Sequence, residues 1–212
     1  MNRRMPVLLL AAVFLISGAL LAQFKPSGGS NPHSVVKKLS IDNFRAIKNL
    51  YFAIMNFGGG EAEFNRLVSG YASATSKYFA KEYDDSAAAF KLNEKDIIET
   101  GMSIAAKYKD TTSKIHTEII EIHTKYTIKL SLDGKKADPA LEKLLNEASE
   151  SLAKANDFNI RRKPVNAIEL YRRSKEKILL YYEAIKQPIP QEYEKDKKDN
   201  ALELYVSKEK EN

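Results

Sequence analysis

The chain has 212 residues, with 34 basic side chains, 28 acidic side chains and no cysteine. This length suits one domain with a sizeable core and is too short for two full domains. The absence of cysteine excludes disulfides and thiolate metal sites, and the formal net charge of +6 favours contact with anionic surfaces or acidic proteins.

The first 22 residues have the pattern of a secretory signal peptide. Arg3 and Arg4 precede an apolar run over residues 6–21, and the small residue Ala22 follows it. Because this run is shorter than the roughly 20 residues that span a bilayer comfortably, cleavage near Ala22 is favoured. Leu20 departs from the usual small residue before a cleavage site, so an uncleaved anchor is the alternative. The expected location is periplasmic or secreted, with membrane contact only through a retained signal.

A flexible linker is predicted over residues 23–40, since residues 25–34 read KPSGGSNPHS. A helical domain is expected over residues 41–190. Residues 191–212 are expected to form a short helix and a charged C-terminal tail.

Apolar residues recur at three- and four-residue spacing from residue 41, which predicts an amphipathic helix. The three glycines at 58–60 predict its end and a turn, because glycine adopts left-handed angles freely. A second helix is expected over residues 61–82, and Asp84 or Asp85 is expected to cap a third.

Two short stretches share a pattern of small and aromatic residues. The first is YDDSAAAF, which ends at Phe90, and the second is NAIELY, which ends at Tyr171. They resemble parts of a tetratricopeptide repeat, the first a helix junction and the second the second helix of a repeat. That resemblance implies a scaffold that binds peptides or proteins. Since Phe90 and Tyr171 lie 81 residues apart, which is not a multiple of the repeat period of about 34, a regular array is excluded.

The middle of the chain gives a less uniform pattern. Residues 108–132 place isoleucines on one helical stripe, although residues 126–132 alternate as a strand would. A helix is favoured because a lone strand would have no partner in this chain. Asp138 followed by Pro139 then predicts the cap and first residue of a helix that ends at Asn156.

The best-specified helix lies within residues 163–190, after a loop predicted over residues 156–163. Pro164 suits an early helical position, and Pro188 and Pro190 end the pattern. The face expected to be buried contains Ile168, Tyr171, Ile178, Tyr181, Tyr182 and Ile185. The remainder of the helix is expected to carry its positive charge on Arg172, Arg173, Lys175 and Lys177.

No catalytic, cofactor or metal motif is found in the sequence. His116 and His123 lie seven residues apart, whereas two ligands on one helix are usually four apart, so no metal site is predicted. Paired carboxylates lie among lysines, and no G-x-S-x-G sequence occurs.

A basic cluster with neighbouring tyrosines is the candidate partner-binding site. Arginine suits bidentate contact with carboxylate or phosphate groups, and tyrosine suits interfaces. Local pairing with Glu169 and Glu176, which would leave a solvated, self-compensated surface, is nevertheless the favoured interpretation of these charges. The candidate residues are Arg161, Arg162, Lys163, Arg172, Arg173, Tyr182 and Tyr193.

The sequence therefore predicts an all-α protein of antiparallel helical hairpins, in a bundle or a short irregular tetratricopeptide-like solenoid. The favoured function is a non-enzymatic interaction or structural protein of the envelope or a filament assembly, with a protein or an anionic envelope component as partner. An oligomer is compatible with this role, and nucleic acid is not an expected partner of an exported protein. A tetratricopeptide-like adaptor for a peptide or small ligand is the alternative, followed by an envelope hydrolase.

Overall fold

The computed structural model describes residues 31–204, which form six α-helices and one turn of 3-10 helix. No β-strand occurs in this part of the chain, and the predicted all-α bundle is confirmed. The predicted signal peptide, residues 1–22, lies outside the described residues. The helices are α1 Pro32–Phe57, α2 Gly60–Phe79, α3 Tyr83–Leu132, α4 Pro139–Ile160, α5 Pro164–Ala184 and α6 Glu194–Asn200, with the 3-10 turn at Gln191–Tyr193.

Helix α3 is the element on which the others pack. It has 50 residues, so it is about 75 Å long. Its first half packs against α1 and α2, and its second half packs against α4 and α5. The separate helices expected before and after residue 108 are therefore one helix, in which Ala105 and Tyr108 are both buried. Residues 126–132 are helical, as favoured, and not a strand.

The core consists of two apolar clusters along α3. The larger one joins α1, α2 and the first half of α3 to the facing ends of α4 and α5. The smaller one lies among the second half of α3, the start of α4 and the end of α5. Tyr171 belongs to the larger cluster, and Tyr181 and Tyr182 belong to the smaller one, as their helical spacing predicts.

Helix α1 begins earlier than the linker composition predicts. The side chain of Asn31 accepts a hydrogen bond from the His33 amide at 3.3 Å, and Pro32 is the first helical residue. Val36 is already buried, so residues 32–40 are part of the fold and not a linker. The Asn-Pro pair is a capping signal that the surrounding glycines and serines obscure.

Helix α4 begins at the predicted residue, and the connection between α4 and α5 is shorter than predicted. The side chain of Asp138 accepts from the Ala140 amide at 2.9 Å, which confirms the predicted cap. Helix α4 continues to Ile160, so the loop expected over residues 156–163 is reduced to residues 161–163.

The first tetratricopeptide-like stretch lies at the α2–α3 turn. There the buried Ser86 hydroxyl donates to the Ala74 carbonyl at 2.8 Å, so this small residue lets α2 and α3 approach closely. Helix α3 is nevertheless longer than a whole repeat of about 34 residues, and the arrangement departs from that family's pattern. Within residues 31–204 no helix is long and apolar enough to cross a bilayer.

Candidate functional site

A groove of about 640 Å³ lies between the end of α3 and the chain that leaves α5. Helix α3 and its last turn contribute apolar and charged side chains, and residues after α5 form the opposite side. The lining residues are Ile122, Lys125, Tyr126, Lys129, Leu130, Asp133, Ile185 and Gln187.

The groove exists because α3 extends beyond its buried contacts. Ile119 is the last fully buried residue of α3, and Ile122, Tyr126 and Leu130 are only half-buried. These three side chains follow one another at four-residue intervals, so they form one apolar ridge along the helix. The ridge is therefore incompletely covered by the described part of the chain.

The edges of the groove carry more positive than negative charge. Lys125 and Lys129 line it, and neither forms an ion pair with a carboxylate among residues 31–204. Asp133 is the one acidic residue in the lining. An amphipathic segment with acidic flanks therefore complements this surface.

A second feature is a cluster of buried charges under the C-terminal segment. Arg172 donates two hydrogen bonds of 2.9 Å to Asp199, one to each carboxylate oxygen. The Tyr108 hydroxyl also donates to Asp199, and the Asn56 amide donates to it at 2.8 Å. One carboxylate of α6 is thus bound by side chains from α1, α3 and α5.

A second buried pair lies beside the first. The ammonium of Lys175 donates to Asp196, and both side chains are almost fully buried. The Lys175 nitrogen also lies 4.6 Å from the centre of the Tyr108 ring, a cation–π distance. The cluster therefore contains two cations and two carboxylates, and its formal charges balance.

Burial and pairing act in opposite directions on these groups. Burial alone would raise the pKa of Asp199, but the hydrogen bonds from Arg172, Tyr108 and Asn56 together with the charge of Arg172 outweigh it and hold the pKa of Asp199 below its usual value. Burial would lower the pKa of Arg172, and the contacts with Asp199 and Tyr108 raise it. For Lys175 burial is the stronger effect, so its pKa is lowered although Asp196 opposes the shift.

The structure does not bring the predicted partner-binding residues together on the surface. Arg172 is buried against Asp199, and Tyr182 and Tyr193 are buried in the smaller core cluster. The expectation that Arg172 and Lys175 load the exposed face of their helix with charge is wrong, because α6 covers both side chains.

The remaining predicted residues stay on the surface. Arg161 pairs with Asp157 at 3.0 Å, and Arg173 pairs with Glu169 at 3.2 Å, both between exposed side chains. Each of these two arginines is therefore paired with a carboxylate four residues before it. The other two, Arg162 and Lys163, line a smaller groove of about 190 Å³ that includes residues of α1 and α3.

A signal for the buried cluster is present in the sequence and is easily missed. Arg172 and Lys175 are three residues apart on one helix, and Asp196 and Asp199 are three residues apart on another. Matching i and i+3 spacings of opposite charge let two helices pair along one face. The two aspartates lie among lysines, in a segment whose composition is typical of a solvated tail. Their match with the spacing of Arg172 and Lys175 is therefore not obvious from the sequence.

The two histidines in the second half of α3 contact different partners. A ring nitrogen of His116 lies 2.8 Å from the Ser149 hydroxyl, and one of His123 lies 2.8 Å from the Tyr181 hydroxyl. Burial lowers the pKa of His116 and raises that of Tyr181 to about 12. Residues 31–204 contain no group of three or more acidic or histidine side chains that is able to hold a metal ion.

Comparison with protein-family models, curated proteins and solved structures finds no match for this chain.

Proposed function

We propose that this protein is an exported, non-enzymatic interaction protein that docks a helix of a partner protein in the groove at the end of α3. The half-buried ridge of Ile122, Tyr126 and Leu130 supports this proposal. An amphipathic helix that lays its apolar face into a hydrophobic groove is a common mode of peptide recognition. The N-terminal basic and apolar pattern supports the exported location.

The half-buried ridge supports a protein partner. Apolar surface of this kind loses contact with water on docking, at about 25 cal/mol for each Å² buried. Ile128 is 56% exposed and Leu132 is 83% exposed on the last turns of α3, but at about 3.6 residues per turn Ile128 lies on the side of the helix opposite the ridge. The ridge of Ile122, Tyr126 and Leu130 is therefore the apolar surface on which a second helix gains free energy.

The partner segment is proposed to be acidic. Lys125 and Lys129 stand beside the apolar ridge with no carboxylate partner among the described residues. Glutamate or aspartate side chains that flank the apolar face of a docked helix pair with these two ammonium groups. Such pairs increase the association rate and select against basic partners.

Charge reversal tests this assignment. The double variant Lys125→Glu with Lys129→Glu is compared with wild type for binding of two designed amphipathic peptides that share a leucine face. One peptide has glutamate flanks and the other has lysine flanks. We expect wild type to prefer the acidic peptide by at least about tenfold, or 1.4 kcal/mol, and the variant to lose that preference.

A matched control uses the same charge change elsewhere on α3. Lys91 and Lys109 are exposed on that helix and do not line the groove. Their double reversal to glutamate alters the net charge equally, so it should leave the preference for the acidic peptide nearly intact. Equal binding of the two peptides by wild type, or an equal effect of both double variants, would refute a docking site in the groove.

A further inference from the structure

The segment of residues 191–204, here called the C-terminal clamp, is held on the bundle through its own carboxylates. Asp199 accepts hydrogen bonds from Arg172, Tyr108 and Asn56, which belong to three different helices. Asp196 accepts from Lys175 on α5. The bundle therefore presents a built receptor for two carboxylates that lie one helical turn apart.

The other contacts of the clamp also reach the bundle. The Tyr193 hydroxyl donates to Glu118 at 2.6 Å, and Glu192 pairs with Lys114 at 3.0 Å. Tyr193 is the one large apolar residue of the clamp that is fully buried, whereas Leu202 and Leu204 are exposed. The clamp is thus attached by a few specific polar contacts and one aromatic side chain, and not by a large apolar core.

The connection between the clamp and α5 is a short hinge over residues 185–190. It contains Pro188 and Pro190, and none of its residues is fully buried. Lys186 has a φ of 56°, a left-handed conformation that residues other than glycine adopt at a cost. Ile185 and Ile189 pack against the edge of the smaller core cluster, so a change of direction in the hinge removes the contacts of these two half-buried side chains and leaves the fully buried core residues of α5 in place.

We propose that the C-terminal clamp exchanges between two copies of this chain, so that the clamp of one copy occupies the carboxylate receptor of the other. An exchanged dimer makes the same Arg172–Asp199 and Lys175–Asp196 pairs as the monomer. Exchange of an identical element between two copies is a low-cost route to a symmetric dimer. This inference concerns the clamp and its receptor, and it is independent of a partner in the groove.

The balance between the two states is set by tethering. A clamp on a short tether has an effective concentration of about 1 mM at its own receptor. The closed monomer is therefore favoured in dilute solution, and exchange is favoured where copies are concentrated in an assembly. Any change that makes the tethered pairing repulsive while leaving the intermolecular pairing attractive shifts this balance to the dimer.

Two charge-reversed variants of the full chain make the tethered pairing repulsive while the intermolecular pairing between them stays attractive. In Arg172→Asp the receptor repels its own clamp, and in Asp199→Arg the clamp is repelled by its own receptor. When the variants are mixed, each clamp can occupy the receptor of the other variant. The exchanged heterodimer then contains one native Arg172–Asp199 pair and one pair with the two charges swapped, and both pairs are attractive. Light scattering after size exclusion should show monomers for each variant alone and a doubled molar mass for the mixture, at concentrations well below about 1 mM.

A control pair separates exchange from general charge attraction. Arg161 and Asp157 form an exposed pair outside the receptor, so a mixture of Arg161→Asp with Asp157→Arg should remain monomeric. If the receptor variants keep wild-type helicity and their mixture also stays monomeric, the proposal is overturned. If either variant fails to fold, Lys175→Glu mixed with Asp196→Lys provides the same test on the second pair.

A shortened hinge tests exchange with the native receptor and clamp. Deletion of residues 187–189 halves the six-residue hinge, so we expect it to keep the clamp from its own receptor while the receptor of a second copy stays accessible. The deletion variant should double its molar mass, and the addition of Asp199→Arg should return it to a monomer. A monomeric deletion variant, or a dimer that Asp199→Arg does not dissociate, would contradict exchange of the clamp.

Discussion

The substitution Asp199→Ala removes the carboxylate on which the buried cluster converges. It leaves the guanidinium of Arg172, which is 9% exposed, without its two hydrogen bonds of 2.9 Å. It also removes the acceptor of the Tyr108 hydroxyl. Removal of one partner of a buried ion pair costs about 3–5 kcal/mol, because the remaining charge stays away from water.

An exposed ion pair in the same protein provides a comparison with the buried Arg172–Asp199 pair. In the Arg161–Asp157 pair both side chains are more than half exposed, and such a pair contributes at most about 1 kcal/mol. In urea, with a slope of about 2 kcal/mol per molar, Asp199→Ala should lower the unfolding midpoint by about 2 M and Asp157→Ala by less than about 0.5 M. Equal midpoints for the two variants would refute the view that the Arg172–Asp199 pair stabilises the fold.

The same pair makes a prediction about pH. The pKa of Asp199 is lower in the folded chain than its usual value, so its stabilising contribution is present above the unfolded pKa of about 3.9 and is lost as the pH falls through the folded pKa. The difference in unfolding free energy between wild type and Asp199→Ala should therefore be constant at neutral pH and shrink in acid. A difference that grows below about pH 4 would contradict this account of the pair.

Four further substitutions test packing, hydrogen bonding and backbone geometry. In Gly101→Ala the new methyl carbon would lie 2.7–2.8 Å from the rigid ring of Pro164, so a loss of about 1 kcal/mol is expected in urea unfolding although alanine favours helix. The Tyr182 hydroxyl is buried with no hydrogen-bond partner among residues 31–204, so Tyr182→Phe should raise the stability by about 1 kcal/mol. By contrast Tyr181→Phe, which loses a bond to a histidine, should lower the melting temperature. Arg162 has a φ of 54°, and Arg162→Gly should raise the melting temperature through relief of about 1 kcal/mol of backbone strain; a fall would show that its side chain contributes more than the backbone costs.

Much of the fold is predictable from local patterns in the sequence. Helical spacing of apolar residues predicts the buried tyrosines of α5, and the cap at Asp138 predicts the start of α4. The length of α3 is less predictable. Its apolar residues have the same three- and four-residue spacing whether they belong to one continuous helix or to two consecutive helices. Only packing on both halves of α3 shows that it is one element.

The two candidate sites depend on contacts between distant parts of the chain. The receptor pairs Arg172 with Asp199, and the spacing of charges along one helix does not reveal which distant helix will cover it. The groove depends on where α5 ends relative to α3, which is a property of their packing. Sequence periodicity shows that Ile122, Tyr126 and Leu130 share a face, but not that this face lacks a full cover.

The groove and the hinge of the C-terminal clamp have residues in common. Ile185 and Gln187 line the groove and also belong to the hinge over residues 185–190. A helix docked in the groove therefore contacts the segment that must change direction when the clamp exchanges. The proposed docking groove and the hinge for clamp exchange are thus adjacent in the structure, although separate experiments test the two proposals.

Site-specific photo-crosslinking in the native host tests the docking claim most directly. A photoreactive residue is placed at Lys129 or Gln187, which line the groove, and at Leu92 as a control that is 64% exposed elsewhere on α3. The account predicts adducts from the two groove positions, with an acidic amphipathic helix of the partner as the crosslinked segment, and none from Leu92. No adduct from the groove, or the same adduct from Leu92, would contradict it.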